Sequence, residues 1–398
     1  MSKPALPFAE FVALIALMFA MIAFGTDSML PALPEIARDL GLDNANRAQL
    51  VVTSFVLGTG LGQLFTGPLS DAVGRKPVIT GGLLLFMLGC LLAWQVQSLE
   101  WLLAARFLQG IGVSAPRTVT LAMVRDLYAG RMMARVMSIA MALFVLVPAV
   151  APLMGQAIMQ AFGWRSIFLS FVLFAMIGLV WLNLRQGETH PPDKRRPLRV
   201  ASFIAAGKEV LTSRIVLTYI AILSFGYGAL FGYLSSAQQV FVDVFGAGDA
   251  FPLFFAGIAL FSGVSGFVNA ALVVRLGMRL MATTAFSVIL VCNLALIGVL
   301  LFLPPSEVIL FPLFLVWSVL AFLVPGLTFG NLNALAMEPM GHIAGMASAM
   351  IGALSTMFGV LIAIPIGLAF DGSILPLLVG FTICSLASVL LMLTTRGR

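Results

Sequence analysis

One carboxylate in this sequence sits where a carboxylate is costly. Asp27 falls inside a long apolar stretch, whereas every other acid lies near the end of such a stretch or between two of them. Ionisable groups within hydrocarbon are rare and usually functional, which makes Asp27 the candidate for taking up and releasing a proton. The competing reading is a static salt bridge or a helix end-cap, because Pro31 and Pro34 follow closely. Two cations also lie inside one apolar stretch. Arg106 and Arg117 are eleven residues apart, close to three helical turns, so they share a face with Gln109, Val113 and Thr120. Such a stripe belongs on a water-filled cavity and not on lipid. With about 1.5 Å of rise per residue, Asp27 and Arg106 lie about 9 and 7 Å inside the ends of their stretches. At matching depth, Arg106 could hold the ionised form of Asp27 and let the site alternate between two protonation states. A second wall is expected from Ser224, Tyr227, Phe231, Ser235 and Gln238, which recur at spacings of three and four. With Met137, Met141 and Phe144 it would make a soft, aromatic binding surface suited to varied amphipathic ligands. Against that stands the abundance of these types, Phe 32 and Met 21 in the whole chain, which gives any helix such stripes.

Enzymatic constellations are missing from the sequence. His190, in the linker, and His342, in a turn, are the only histidines, and the sequence offers them no second histidine, paired carboxylates or nucleophile constellation to work with. Cys90, Cys292 and Cys384 show no metal-ligand or disulfide spacing. No phosphate loop of the Gly-Lys-Ser/Thr kind is present, so any work is expected to draw on an ion gradient or on the solute itself, and on no cofactor or metal. The expectation is a protein that is not an enzyme.

The elements that must position these residues are membrane helices. Hydrophobic residues make up 61% of the 398 and charged residues 10%, far from the roughly 25% charged of a soluble domain. The apolar stretches are too long for barrel strands and do not alternate. Twelve spans are predicted, at roughly 9–33, 47–69, 78–98, 101–124, 134–161, 166–184, 214–242, 251–274, 280–302, 308–335, 343–369 and 374–394. The one long polar segment follows the sixth, giving a six-helix half at 1–184, a linker at 185–213 and a second half at 214–398. The first span lacks a cleavage site and reads as retained.

Orientation follows from Lys and Arg. With both termini cytoplasmic, that side holds Lys3, Arg75, Lys76, Arg125, Arg131, Arg135, Arg185, Lys194, Arg195, Arg196, Arg199, Lys208, Arg214, Arg275, Arg279, Arg396 and Arg398, and the outer side only Arg38, Arg47 and Arg165. The net charge of +6 is therefore a topology signal, and nucleic acid is not an expected partner. A faint internal repeat supports two halves: Gly60, Gly67, Asp71, Gly74 and Lys76 recur in spacing as Gly263, Ala270, Val274, Gly277 and Arg279, with the acid lost.

Between the second and third spans lies Gly67-Pro-Leu-Ser-Asp-Ala-Val-Gly-Arg-Lys-Pro77. This stretch resembles the signature loop of the major facilitator superfamily. Thr26-Asp-Ser-Met-Leu-Pro-Ala-Leu-Pro34, Arg106-Phe-Leu-Gln-Gly110, Val124-Arg-Asp-Leu-Tyr128, Pro148 to Gly155 and Ala344-Gly-Met-Ala-Ser-Ala349 resemble its Bcr/CflA group of drug:proton antiporters. The resemblance covers essentially the whole chain. It implies an all-α, twelve-helix transporter in two halves, and a conformational latch made by Asp71, Gly74, Arg75, Lys76 and Asp126. In that latch Asp71 would face the N-terminal end of the eleventh span and Arg75 would pair with Asp126; a merely topogenic loop is the alternative. It also implies that Arg106 couples proton and substrate sites, and that Pro148, Pro152 and Gly155 form an antiporter motif, although prolines are common in membrane helices. Arg117 departs from the group, whose arginine falls about four positions later, at Leu121. It would suit an anionic or hydrogen-bond-accepting substrate, or a displaced structural pairing.

The function expected is export of small amphipathic compounds or drugs in exchange for protons, by a monomer in the lipid bilayer of a bacterial inner membrane. The substrate cavity would include Gln109, Arg117, Met141, Phe144, Tyr227, Phe231 and Gln238. A dedicated transporter of one metabolite, anionic in keeping with Arg117, is the alternative.

Overall fold

Proline decides the shape of the first span. In a computed structural model describing residues 6–195, 200–303 and 306–395, helix α1 (Phe8–Asp27) stops at Asp27. Pro31 has no N–H to offer the Asp27 carbonyl, and its ring crowds that same carbonyl. A short 3-10 turn, Leu30–Ala32, then carries the chain into α2 (Leu33–Asp39), with Pro34 in its first turn. The unbroken helix expected to residue 33 is thus two helices with Asp27 at the break. Lys3, Arg196, Arg199, Arg396 and Arg398, used above for orientation, lie outside the described residues.

The chain continues through α3 (Leu50–Val73), α4 (Arg75–Gln95), α5 (Leu99–Leu127), α6 (Gly130–Phe162) and α7 (Ser166–Arg185). The linker holds α8 (Val200–Thr212), and then come α9 (Arg214–Gln239), α10 (Phe251–Ser262), α11 (Val264–Leu276), α12 (Met278–Phe302), α13 (Glu307–Met337), α14 (Ala344–Leu368) and α15 (Leu375–Thr394). No strand occurs among the described residues. Among the described residues, ten stretches are long and apolar enough to cross a membrane. One of them, Val308–Leu368, holds both α13 and α14. Helix α5, with Arg106, Gln109 and Arg117 along it, is not among these, yet its 29 residues run about 43 Å at 1.5 Å each, more than a bilayer core requires. Among the described residues, counting α1 with α2 and α10 with α11 as single crossings and leaving out the linker helix α8 gives twelve.

Two compact units result: Met1–Gly41 with Ser54–Ala205, and Leu42–Thr53 with Ala206–Arg398. The segment Leu42–Thr53 therefore groups with the second unit despite its place in the first half of the sequence. Its reason is a set of amide hydrogen bonds. Asn46 Nδ2 donates to Leu368 O at 3.2 Å and Phe370 O at 2.8 Å, Gln239 Nε2 donates to Asn46 Oδ1 at 3.0 Å, and Gln49 donates to Gln239 Oε1.

Within the first unit α5 is the hub. A Cβ on Gly110 would sit 2.1 Å from Phe55 O, so only glycine lets α3 and α5 cross backbone to backbone. The second unit is held by rings. Tyr233, Phe314 and Trp317 stack or tilt against one another at 5.5–6.4 Å, and Trp317 Nε1 donates to Asn293 Oδ1 at 2.5 Å.

Candidate functional site

The break after Asp27 is gripped from three sides. Arg106 on α5, fully buried, sends one guanidinium nitrogen to Gly25 O at 2.8 Å and another to Gln109 Oε1 at 2.7 Å. Its Cζ lies 4.3 Å from the centroid of the Phe55 ring of α3, a cation–π contact. From α6, Gly155 reaches the backbone of Ser28, where a Cβ would meet the Ser28 carbonyl oxygen at 2.0 Å. Pro148 and Pro152 lie inside the same helix without ending it. Arg106 thereby supplies a donor to the last turn of α1, where carbonyls lack helical partners.

Asp27 itself is 5% exposed, and its carboxylate accepts no hydrogen bond and joins no ion pair among the described residues. This differs from the expectation that Arg106 would hold the ionised form. The arginine comes to the backbone two residues earlier, because a carbonyl at a helix end and the Gln109 amide satisfy its donors there. Gln109 also moves away from its expected role on an open cavity wall. It is fully buried and donates to Gly89 O of α4 at 3.0 Å, which fixes the end of Arg106 against α4. An acid with no fixed donor can have its charge balanced only by what reaches it, a proton or a cation.

The remaining candidates divide by unit. In the first, Arg117 is exposed, unlike the buried Val113, Thr120 and Val124 on the same face of α5; Met141 is exposed at 44%, and Phe144 and Met137 are half-buried. In the second, Tyr227 stacks on Phe231 with centroids 5.6 Å apart and packs on Phe329 of α13 at 4.3 Å. Gln238 is buried with its Oε1 unpartnered among the described residues. Ser224 and Ser235 donate to their own helix, at Ile220 O and Phe231 O. Phe329 has no signature in the sequence: among 32 phenylalanines in the chain, nothing singles it out.

The loop between α3 and α4 is a compact ionic knot. Gly74, at φ 115°, makes a turn that side chains resist, and starts α4. Arg75, buried, pairs with Asp126 at 3.0 Å and also with Asp71, and donates to Ser70 Oγ at 2.7 Å. Lys76 Nζ donates to Asn183 O and Gln186 O at 2.9 Å each, tying the loop to the end of α7. The residue the sequence did not reveal is Glu188. Its two oxygens accept the N–H of Arg75 at 3.0 Å and of Lys76 at 3.1 Å, capping α4 from a distant stretch of chain. Beside it, Thr189 Oγ1 donates to Asp126 Oδ2 at 3.0 Å. Asp71, expected opposite the eleventh span, has Arg75 as its partner and is half exposed.

The family model described as Major Facilitator Superfamily matches residues 15–364. The chain belongs to that superfamily. Among similar proteins, the "Bicyclomycin resistance protein homolog" of Haemophilus influenzae is 29% identical over 97% of this chain and 96% of its own length. "Uncharacterized MFS-type transporter YdgK" of Bacillus subtilis is 30% identical over 89% of this chain and 88% of its own, and "Multidrug resistance protein MdtL" of Salmonella heidelberg 29% over 92% and 90%. Solved structures share the fold at lower identity. The human organic anion transporter MFSD10 aligns with a TM-score of 0.66 at 19% identity over 98% of this chain and 99% of its own, and a D-xylose–proton symporter with 0.74 at 13% over 97% of each. This member of the superfamily is a multi-pass membrane protein. Among its described residues no group of three or more His, Cys, Asp or Glu is arranged to hold a metal ion.

Proposed function

We propose that this superfamily member exports small amphipathic compounds in exchange for protons, with Asp27 as the coupling acid. The observation that carries the reading is a buried carboxylate without a fixed partner, placed at a helix break whose backbone is held by Arg106 and Gly155. An acid in that position serves proton and cationic or polar substrate in turn. Protonation neutralises it and releases the substrate; substrate arriving from the other side displaces the proton. Relatives named for bicyclomycin and multidrug resistance support the choice of substrate class.

Arg106 is a positioning residue here, keeping the end of α1 in place while the charge on Asp27 changes. The Arg75, Asp126 and Asp71 network, with Glu188, works as a latch that must loosen when its end of the protein opens, in keeping with alternating access. The seventeen Lys and Arg on the linker side support cytoplasmic termini and a bacterial inner membrane. The energy comes from the proton gradient with no cofactor, and the working unit is a monomer.

A second reading rests on Arg117. An exposed arginine inside a membrane helix suits a dedicated carrier of one anionic metabolite. One experiment separates the two. Wild type and Asp27→Asn are compared at matched membrane levels in an efflux-deficient host challenged with phenicols, bicyclic peptides, lipophilic cations and anionic drugs. Protection against several compounds by wild type and none by the variant supports proton-coupled export. Protection by neither favours the dedicated carrier, and equal protection removes Asp27 from the coupling role.

A further inference from the structure

Helix α8 has two apolar faces and uses only one of them on the protein. Ala206 and Val210 are buried, Gly207 lies against Met350 of α14, and Glu209 pairs with His342 at 2.8 Å. Roughly a third of a turn round the helix, Ile204 and Leu211 stand out at 62% and 54% exposed. They are seven residues apart, so they form one stripe, and the exposed Lys208 stands beside it. Single exposed apolar residues are ordinary on any protein. A pair in register, edged by a cation, is the pattern of a helix lying in a membrane interface.

Covalent geometry puts the Leu211 end of that stripe near the membrane boundary. Thr212 ends α8, and after Ser213 alone the membrane-crossing α9 begins at Arg214. The end of α8 cannot be more than a few ångströms from where α9 leaves the headgroups. The surrounding charge also has one dominant sign. Arg214 is exposed beside the helix end, and in sequence Lys194, Arg195, Arg196 and Arg199 precede the helix. Of the two acids between residues 193 and 214, Glu209 is engaged with His342, which leaves Asp193.

We propose that α8 is an interfacial helix that recognises anionic phospholipid. Ile204 and Leu211 enter the acyl boundary of the leaflet on the linker side, and Lys208 and Arg214 meet phosphate and glycerol headgroups. Such a site makes the short connection into α9 responsive to the lipid charge around the protein.

The test uses full-length protein in nanodiscs. A bimane label is placed at Ile204→Cys in a background with Cys90, Cys292 and Cys384 replaced by alanine, with Ala205→Cys as the control on another face. Nitroxides near the top of the acyl chain are carried either by phosphatidylglycerol or by phosphatidylcholine. The expected result is quenching at position 204 and not at 205, with phosphatidylglycerol the stronger quencher by about fivefold per basic contact. The preference should fall towards unity in Lys208→Gln with Arg214→Gln. Quenching at 204 by aqueous iodide and by neither lipid overturns the proposal, and so does equal quenching by both lipids. Unlabelled wild type gives an independent answer: amide exchange over 200–212 should slow several-fold when phosphatidylglycerol replaces phosphatidylcholine, and unchanged exchange overturns the proposal as well.

Discussion

The two halves solve one anchoring problem in the same way and differ in everything added to it. In the first, Gly74 at φ 115° starts the third span, and Lys76, two residues on, donates to Asn183 O and Gln186 O at the end of the sixth. In the second, Gly277 at φ 84° starts the ninth span, and Arg279, again two residues on, donates to Met392 O at 2.9 Å and to Thr395 O at the end of the twelfth. Both pairs of carbonyls are three residues apart, and both lie at the C-terminal end of a helix, where cations are favoured. Where the first half then has Asp71 and Arg75, the second has Val274 and Met278. The shared anchor is structural. The ionic knot belongs to one half only, which is where a reversible contact would be expected. Depth in the membrane repeats the contrast: Asp27, Arg106 and Gln109 are buried in the first half, while in the second the buried Tyr233, Phe314 and Trp317 close over the Asn293 amide and the buried polar groups carry no charge.

That division of labour can be broken most severely at Asp27. Asp27→Asn is expected to abolish proton-driven efflux altogether in proteoliposomes while leaving detergent stability near wild type. Its counterpart in the second half, Asn293→Leu, should keep coupling and lose about 1–2 kcal/mol of stability, because the Trp317 indole loses its acceptor. If the Asp27→Asn variant still alkalinises the lumen when substrate is added outside, the first half does not carry the charge chemistry.

Next in size is Arg106→Ala. It strips donors from Gly25 O and Gln109 Oε1, and charge-assisted bonds of this kind contribute about 1.5–3 kcal/mol each. A loss of about 3 kcal/mol is expected, read from thermal unfolding in detergent, with Arg106→Lys recovering part of it. Equal stability of the alanine variant would mean that α1 is held by other contacts.

Gly155→Val and Gly330→Ala sharpen the same comparison through backbone approach. The first places atoms where Ser28 O lies 2.0 Å from the Cβ, and should cut transport by about a hundredfold, as small displacements near reacting groups do. The second meets nothing within 4 Å and should be neutral or slightly stabilising, by up to about 1 kcal/mol. Smallest of all, Glu188→Gln should cost about 1 kcal/mol as the α4 cap weakens. Arg279→Ala should show a loss of similar size with no change in the dependence of transport on the gradient.

Residue types announced much of this architecture and little of its wiring. Long apolar stretches, one polar linker and the placement of Lys and Arg are compositional, so the spans and the two-half plan are readable from them. Arg75 and Asp126 are also readable, since charges at adjacent span ends have few other partners. The acceptor of Arg106 is not, because Gly25 offers only a backbone carbonyl, which has no signature in sequence. Gln109 looked like part of a wall because periodicity gives a face and says nothing of which neighbour covers it. Glu188 caps α4 across 113 and 112 residues of sequence separation, beyond the reach of any local capping pattern. The grouping of Leu42–Thr53 with the second unit depends on Asn46, Gln49 and Gln239 meeting, and amides carry no charge to steer the eye.

That last feature bears on how the protein is made. Asn46 donates to Phe370 O across 324 residues of sequence, so the strap it belongs to leaves the ribosome long before its acceptor exists. At a synthesis rate of about 5–20 residues per second the wait is roughly 16 to 65 s. During that interval Asn46, Gln49 and the turn around them must stay hydrated at the membrane surface, and a nascent chain halted before the eleventh span is complete will present them as a loose end to proteases.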